Sequence, residues 1–392
     1  MKQLGSFFAA AMLGALLVPT AARADLVIGY ATDKTGPFVS LSNGNDIAAD
    51  MAADEVNAKG GINGKKLKLV KFDAGGNPKD AVTAVRRFAQ DDKALAIVGP
   101  FSSSECQVAF PAGEAEGIAE MSMASSAPGL TTGFSYAFRN TVDEGKVIEY
   151  VMEIIEAKKL PMKSAAIAYG TDDAVSKSIG TKVLPGVFEK FKAPVAVTVD
   201  FQVKAFDLSP QVSQLVKAKP DVIGLGSPPD AAIKLATELK RQGYQGRVIG
   251  GSTFADPDLP KRMAPAGDKM TIGTAYFADL NPRTKAFAAE YAKRAKAAGV
   301  ARTDTNQFDA AAYDIVLMYA QALAATKATG DAANVVKERT AVRDYLATLK
   351  NFKGLEGDIS FDKNREALKP IYVIEAKNGG WSLLGTGQPK AQ

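Results

Sequence analysis

The chain is expected to fold as an α/β protein built from two doubly wound lobes. Three observations predict this. Apolar runs of strand length alternate with segments of helical period from residue 26 to about 275, the pattern of parallel sheets covered by helices on both faces. The chain has 392 residues, too many for one open sheet and enough for two domains. Hydrophobic residues make up 46% and aromatics 8%, which is ample for two cores.

Taken in order, Leu26-Val27-Ile28-Gly29-Tyr30-Ala31 reads as a buried strand, followed by the loop Thr35-Gly36-Pro37. Ile47, Ala48, Met51, Ala52 and Val56 recur at helical spacing until Gly60-Gly61, and Asn63-Gly64 makes a tight turn. Leu67 to Phe72 is the next strand. Pro78 opens a helix with Ala81, Val82, Val85 and Phe88 on one face. Ala94 to Val98 is a third strand. The alternation continues with a helix from Ser103, strand 118–123, helix 144–158, strand 164–169, helix 173–191 and strand 194–201. Helix 209–218, strand 221–225, helix 229–242, strand 247–250 and strand 270–275 follow. Then the character changes. Helices are expected over 282–298, 305–327 and 331–350, and the runs 358–361, 371–374 and 381–384 read as antiparallel strands, with a weakly structured tail after Gly385.

The first 24 residues read as a secretion leader. Lys2 is a basic start, Phe7 to Pro19 is an apolar stretch too short to span a bilayer, and Ala22-Arg23-Ala24 suits signal peptidase. Cleavage is expected after Ala24, leaving a mature chain free in the compartment outside the inner membrane. Lysines and arginines number 48 against 43 acidic residues. Loss of Lys2 and Arg23 leaves the chain only mildly basic. The charges are interspersed, and the densest run, Lys65 to Lys71, suits a turn and a strand edge rather than nucleic acid.

Chemistry is narrowed by what is missing. The sequence has no His and one Cys, Cys106. That removes the usual general base and metal ligand, every triad that needs His, and any internal disulfide. No phosphate-cradling or dinucleotide-binding glycine motif is present, no cofactor is implied, and no metal cluster is visible. Ser103 or Cys106 as an enzymic nucleophile would lack a base partner.

Ligands of parallel sheets bind beyond the carboxyl ends of the strands, so the loops after strands are the candidate site. In Gly99-Pro100-Phe101-Ser102-Ser103-Ser104-Glu105, Ser102 and Glu105 fit a capping box, which alone accounts for the serines. The free N–H groups of that helix start, with the Ser103 and Ser104 hydroxyls, also suit a carboxylate. Ala124-Ser125-Ser126-Ala127-Pro128 follows the strand at 118–123 as a second hydroxyl-rich loop. The second half offers Gly170-Thr171-Asp172-Asp173, Gly226-Ser227-Pro228-Pro229-Asp230 and Gly250-Gly251-Ser252-Thr253-Phe254. Asp172 or Asp173, and Asp230, are placed to cap helices. Phe101, Tyr169 and Phe254 stand near enough to line a pocket with apolar surface.

This string of motifs resembles the periplasmic branched-chain amino acid-binding proteins, the leucine/isoleucine/valine type of ABC-transporter solute receptor. The marks are Ile28-Gly29 with Thr35-Gly36-Pro37, the run Glu55 to Gly64, Asp73 with Pro78 and Ala81-Val82, Val98-Gly99-Pro100, Ser125 to Pro128, Phe138-Arg139-Asn140 and Tyr313-Asp314. The resemblance spans about 25–384. It implies the type I periplasmic binding protein fold, two lobes joined by three crossovers. Lobe 1 would hold 25–142 and 275–350, lobe 2 would hold 143–274 and 351–388, and the ligand would lie between them. It further implies a monomer in the periplasm that passes its solute to an inner-membrane ABC permease.

Carried over by position, Ser103 matches the serine that holds the ligand carboxylate, and Ala124 and Ser126 match the pair that holds carboxylate and amino group. The second lobe departs from the pattern. Ser252 stands where amino acid-binding members carry a carboxylate for the ligand ammonium, and Asp172, Asp173 or Asp230 is left to supply that charge from a neighbouring loop. The usual tyrosines are replaced near Ala174 and Pro228, and the usual aromatic of the first loop falls at Leu41. Two solutes therefore compete, an apolar amino acid and a benzoate-like carboxylate without an ammonium. An amide or urea receptor, or a protein that presents ligand to a sensor, are the further readings.

Overall fold

Packing of the apolar runs, rather than any single strong signal, sets the architecture. The computed structural model describes residues 25–36 and 38–388, so the leader expected at 1–24 lies outside the described residues. β1 (Leu26–Thr32) is buried nearly throughout. After α1 (Val39–Ser42) and α2 (Asn45–Ala58) the chain turns through Ile62 and Lys65 into β2 (Leu67–Asp73). α3 (Pro78–Gln90) starts with the Asn77 side chain accepting the Lys79 N–H at 3.0 Å and Pro78 in the first turn. It buries Ala81, Ala84, Val85 and Phe88. Val82, expected on that face, is only partly buried, and Ala84 takes its place. β3 (Ala96–Val98), α4 (Ser103–Glu116), β4 (Ala119–Ser122) and β5 (Ala137–Arg139) complete the first unit. Its five strands are parallel in the order β2-β1-β3-β4-β5.

The chain then crosses through residues 140–143 into α5 (Glu144–Ala157) and a second sheet. β6 (Ala165–Gly170), α6 (Ala174–Ser178), α7 (Leu184–Lys190), β7 (Val195–Phe201), α8 (Ser209–Ala218), β8 (Val222–Gly226), α9 (Pro229–Arg241), β9 (Arg247–Gly250), α10 (Leu259–Met263) and β10 (Thr271–Thr274) follow. The helix expected over 173–191 is one rod whose middle, Ile179–Val183, widens to a π-turn. After β10 the chain returns to the first unit. α11 (Pro282–Ala297) and α12 (Gln307–Ala325) pack on α2, and α13 (Val335–Ala347) packs on α12 and β4. α13 begins four residues later than expected, because Glu338 accepts the Thr329 and Gly330 N–H groups at 2.7 and 3.0 Å and holds that stretch as a turn.

The stretch 351–388, expected with lobe 2, divides. β11 (Phe352–Gly354), β12 (Gly357–Phe361) and β13 (Ala367–Leu368) form a separate three-stranded sheet. β14 (Ile371–Lys377) and β15 (Gly380–Gly387) add antiparallel to β10, giving the order β15-β14-β10-β9-β8-β6-β7. β15 extends through residues expected to be a loose tail. Within the described residues the chain thus passes three times between the units, as a type I periplasmic binding protein does. β5, β11 and β13 escape the sequence because two or three residues are too few to show an alternation.

Buried ionic groups pin the crossovers. Arg139 is fully buried; its Nε donates to Glu366 at 2.7 Å, and its Nη1 donates to the carbonyls of Ser125 and Ala127 at 2.8 and 2.6 Å. Lys369 Nζ donates to the Asn140 carbonyl at 2.6 Å and to Glu356 at 2.5 Å. Burial pushes the Glu356 carboxyl up to about 7 even though Lys369 opposes the shift. Asp314 on α12 accepts the Leu355 and Glu356 N–H groups at 2.9 and 3.2 Å. Residues 352–369 are thereby clamped onto the first crossover.

Removing one member of such a pair leaves the other charge buried alone, which costs about 3–5 kcal/mol. Arg139→Ala is therefore expected to lower the unfolding free energy by about that amount in a urea titration, and adding Glu366→Ala should return part of the loss. A change below about 1 kcal/mol in the single variant would show that the pair is not structural.

Candidate functional site

The loop after β3 carries the first wall of the site. Gly99 has φ 107°, and a Cβ there would sit 3.0 Å from the Ala31 carbonyl, so glycine alone lets the loop turn this close to β1. Ser102 and Glu105 form the expected capping box at the start of α4. The Ser102 N–H donates to Glu105 at 2.9 Å and the Glu105 N–H to Ser102 Oγ at 3.3 Å. Ser103 comes next. Its Oγ accepts the Ala127 N–H at 3.2 Å, which leaves its O–H free to donate. The loop after β4 folds over it, with Ser122 Oγ accepting the Ser125 N–H at 3.1 Å and Arg139 holding two of its carbonyls.

The opposite wall comes from the second sheet. Ser252 and Thr253 begin the short 3-10 turn after β9, and Val175 stands at the start of α6. Glu144, the first residue of α5, lies beneath. Its N–H donates to the Ser126 carbonyl at 2.9 Å, and its Oε2 accepts from Ser252 Oγ at 2.7 Å. Glu144 is fully buried, and burial pushes its carboxyl up to about 7 although the Ser252 and Ser126 hydroxyls favour the ionised form. A Cβ on residue 251 would lie 1.7 Å from Glu144 Oε1, so Gly251 is needed for this approach.

Between the walls lies a narrow cavity whose empty space, open solvent included, is about 280 Å³. Its polar lining is Ser102, Ser103, Ser126, Ser252 and Thr253; Ala124 and the apolar group Phe38, Leu41, Phe101, Val175 and Phe308 supply the rest. Phe101 lies edge-on to Phe308 with ring centres 5.3 Å apart and tilts against Phe38 at 6.3 Å. The lining suits an apolar body with a polar end facing Ser103, where hydroxyl and helix N–H donors converge.

Five residues expected at the site stand in this wall: Phe101, Ser103, Ala124, Ser126 and Ser252. Six do not. Ser104 lies in the first turn of α4 and is not among the lining residues. Ser125 is fully buried and is not among the lining residues, its hydroxyl set beside the Cys106 thiol. Tyr169 packs over Gly180 of the π-turn. Asp172 lies at the surface and accepts the Val203 N–H at 2.8 Å. Ser227 donates to the Pro228 carbonyl at 3.1 Å, and Phe254 fills the core against Gly250. Asp173 caps α6 through Ser176 at 2.8 Å, and Asp230 pairs with Arg262. Glu144, Thr253, Val175, Phe38 and Phe308 are the residues that sequence reasoning missed. For Glu144 the only signal is Asp143-Glu144 at a helix start, which reads as ordinary complement to the helix dipole.

A buried acid pair backs the first wall. Asp33, just after β1, faces Glu105, and Asp33 Oδ1 and Glu105 Oε1 each lack a donor among the described residues. Burial and the neighbouring Glu105 carboxylate push the Asp33 carboxyl up, and burial does the same to Glu105. One proton shared between the two satisfies both orphan oxygens. The native pair keeps this proton at pH values where the unfolded chain has lost it, so its stabilisation is present in acid and declines as pH rises toward the alkaline range. Asp33→Asn supplies a permanent donor to Glu105. It is expected to flatten the alkaline side of the stability–pH curve and to raise the melting temperature at pH 9. An unchanged slope in thermal unfolding from pH 6 to 9 would rule out the shared proton.

A model of the periplasmic binding protein family matches residues 25–380. An amino acid binding protein of Pseudomonas aeruginosa is 38% identical over 156 residues, 38% of this chain and 42% of that protein. The chain therefore spans less than half the length of that relative. Leu/Ile/Val-binding protein homolog 1 of Brucella melitensis is 25% identical over 387 residues, 94% of each chain. Among solved structures, a leucine-binding protein of Thermotoga maritima superposes with a TM-score of 0.81 at 21% identity, covering 93% of this chain and 99% of that one. An ABC-transporter solute-binding protein of R. palustris in complex with benzoate gives 0.78 at 17% identity, covering 93% and 97%. At these identities the two structures establish the fold.

Proposed function

Because the chain belongs to the periplasmic binding protein family, we propose that it is the extracytoplasmic receptor of an ABC importer and takes a small organic carboxylate with an apolar body into the cleft between its two sheets. The observation that carries this reading is the cavity itself. One wall offers the free Ser103 hydroxyl at the start of α4, the other offers Ser252 and Thr253, and aromatic and aliphatic side chains fill the space between. Delivery to an inner-membrane permease, and export to the periplasm with loss of residues 1–24, complete the reading.

The rival enzymic reading finds no support in the geometry. Ser103 accepts a backbone N–H and has no base beside it among the described residues. The Cys106 thiol is wholly buried, and burial pushes its pKa far up, the reverse of what a nucleophile needs. Two solute classes fit. The lining suits the side chain of an apolar amino acid, in keeping with the names of the Brucella and Thermotoga relatives. The Phe101–Phe308 edge also suits a planar ring, in keeping with the benzoate bound by the R. palustris protein.

A thermal-shift screen of leucine, valine, phenylalanine, benzoate, hydroxycinnamates and urea separates these. A ligand at 100 times its dissociation constant adds about 2.7 kcal/mol of stability, and one of these compounds is expected to do so. No stabilisation by any carboxylate would contradict the reading. Ser103→Ala removes one hydrogen bond to an ionised carboxylate and is expected to weaken the stabilising ligand by about 1–3 kcal/mol in calorimetry. Unchanged affinity would show that Ser103 serves only the loop.

A further inference from the structure

We propose that the protein carries a second binding site, for a small organic cation with an apolar body and an oxygen acceptor, in the crevice where the chain returns from β10 to α11. The loop after β9 and the start of α12 each contribute to two cavities. Ser252, Thr253 and Phe308 line the first. Ala255, Pro257, Asn306 and Gln307, a few residues along, line the other, and among the described residues none lines both. The empty space of this second cavity, open solvent included, is about 840 Å³, against about 280 Å³ for the first. The first unit contributes α11 to it, the second contributes Ile374 of β14 and Trp381 of β15, and the crossover at residues 276–279 runs along it.

Gln307 sets the first chemical demand. Its side chain lines the cavity, and the residue is 4% exposed. Oε1 accepts the Ala275 N–H at 2.7 Å and the Thr274 hydroxyl at 3.0 Å. A backbone N–H can only donate, so the amide is fixed this way round. Nε2 is left buried with no acceptor among the described residues. A buried donor without an acceptor is destabilising, and a ligand oxygen satisfies it.

Rings and charge set the rest. Tyr276, Phe277 and Trp381 line the same cavity. The Trp381 indole N–H donates to the Asp256 carbonyl at 3.0 Å, and the Tyr276 hydroxyl bonds to that of Thr305 at 3.0 Å. Both side chains are thus held by their polar atoms, and what they offer a ligand is ring surface. Asp279 and Asp304 are exposed members of the lining, and no lysine or arginine among the described residues lines it. Asp279 pairs with Lys285 at 3.5 Å, but both are well exposed and such a pair is weak. An ammonium among the rings gains from their negative faces and from the two carboxylates, which oppose an anion. The first cavity has no acid in its lining, so a positive charge tells the two apart.

Calorimetry on the purified protein with two matched pairs tests this: choline against 3,3-dimethylbutan-1-ol, and tyramine against 4-propylphenol. Within each pair the shape and the hydroxyl are shared and only the positive charge differs. At least one cation is expected to bind with a dissociation constant below about 1 mM, about 3–30-fold more tightly than its neutral partner. Asp279→Asn combined with Asp304→Asn, both at exposed positions, should narrow that gap. Ala288→Leu, on the α11 side of the lining, should fill the cavity and abolish cation binding while the carboxylates of the thermal-shift screen bind as before. Should Ala288→Leu fail to fold, the double Asn variant still decides. Neutral partners binding as tightly as the cations, an unaltered gap in the double Asn variant, or saturation by none of the four probes would overturn the second site. So would displacement of the bound cation, one for one, by a carboxylate of the screen, which would put it in the first cavity. Each of these outcomes leaves the receptor reading standing, because that reading is tested by the carboxylates alone.

Discussion

Arg139 is the group on which the rest of the site depends. A guanidinium stays charged inside a protein, so once buried it must spend its donors well. Here they reach Glu366 on one side and the carbonyls of Ser125 and Ala127 on the other. The first contact fixes the segment between β12 and β13 on the first crossover. The second fixes the shape of the loop after β4. That loop sets two further positions, since the Ala127 N–H fills the acceptor side of Ser103 and the Ser126 carbonyl receives the first N–H of α5. A single buried cation thus joins the crossover, the first wall of the cavity and the helix start that carries Glu144.

Around this cation the site is built from neutral donors and from buried acids whose ionisation burial opposes. Asp33, Glu105 and Glu144 are all buried, and burial raises each carboxyl. Hydroxyls stand beside two of them, Ser102 at Glu105 and Ser252 at Glu144. Such groups hold a polar cavity together without filling it with fixed charge. The start of α4 then faces the cavity on one side, and the buried Glu144 carboxyl lies behind the Ser252 hydroxyl on the other.

Much of the fold was legible because it rests on local rules. The alternation of strand and helix, the capping box at Ser102 and Glu105, the turn at Asn63-Gly64 and the proline starts of α3 and α9 all act within a few residues. Five wall residues were legible for the same reason, since they lie in loops that follow strands. What was not legible depends on distant partners. Glu144 joins the site through Ser252, 108 positions away. Phe308 reaches the cavity only because α12 returns to the first sheet. Tyr169 and Phe254 failed as wall residues because the π-turn and Gly250 give their rings a core to fill, which no spacing reveals.

The Ser252 side chain shows how the second wall works without a charge of its own. A carboxylate at that position would stand in the loop, on a short turn open to the cleft. Serine instead donates to a carboxylate set on the first turn of a helix packed against β10, β14 and β15. An anion there gains from the helix N-terminus. The cost is burial, which raises the carboxyl toward neutrality. The Ser252 hydroxyl, the first of the groups that oppose this rise, thereby ties the second wall to the start of α5.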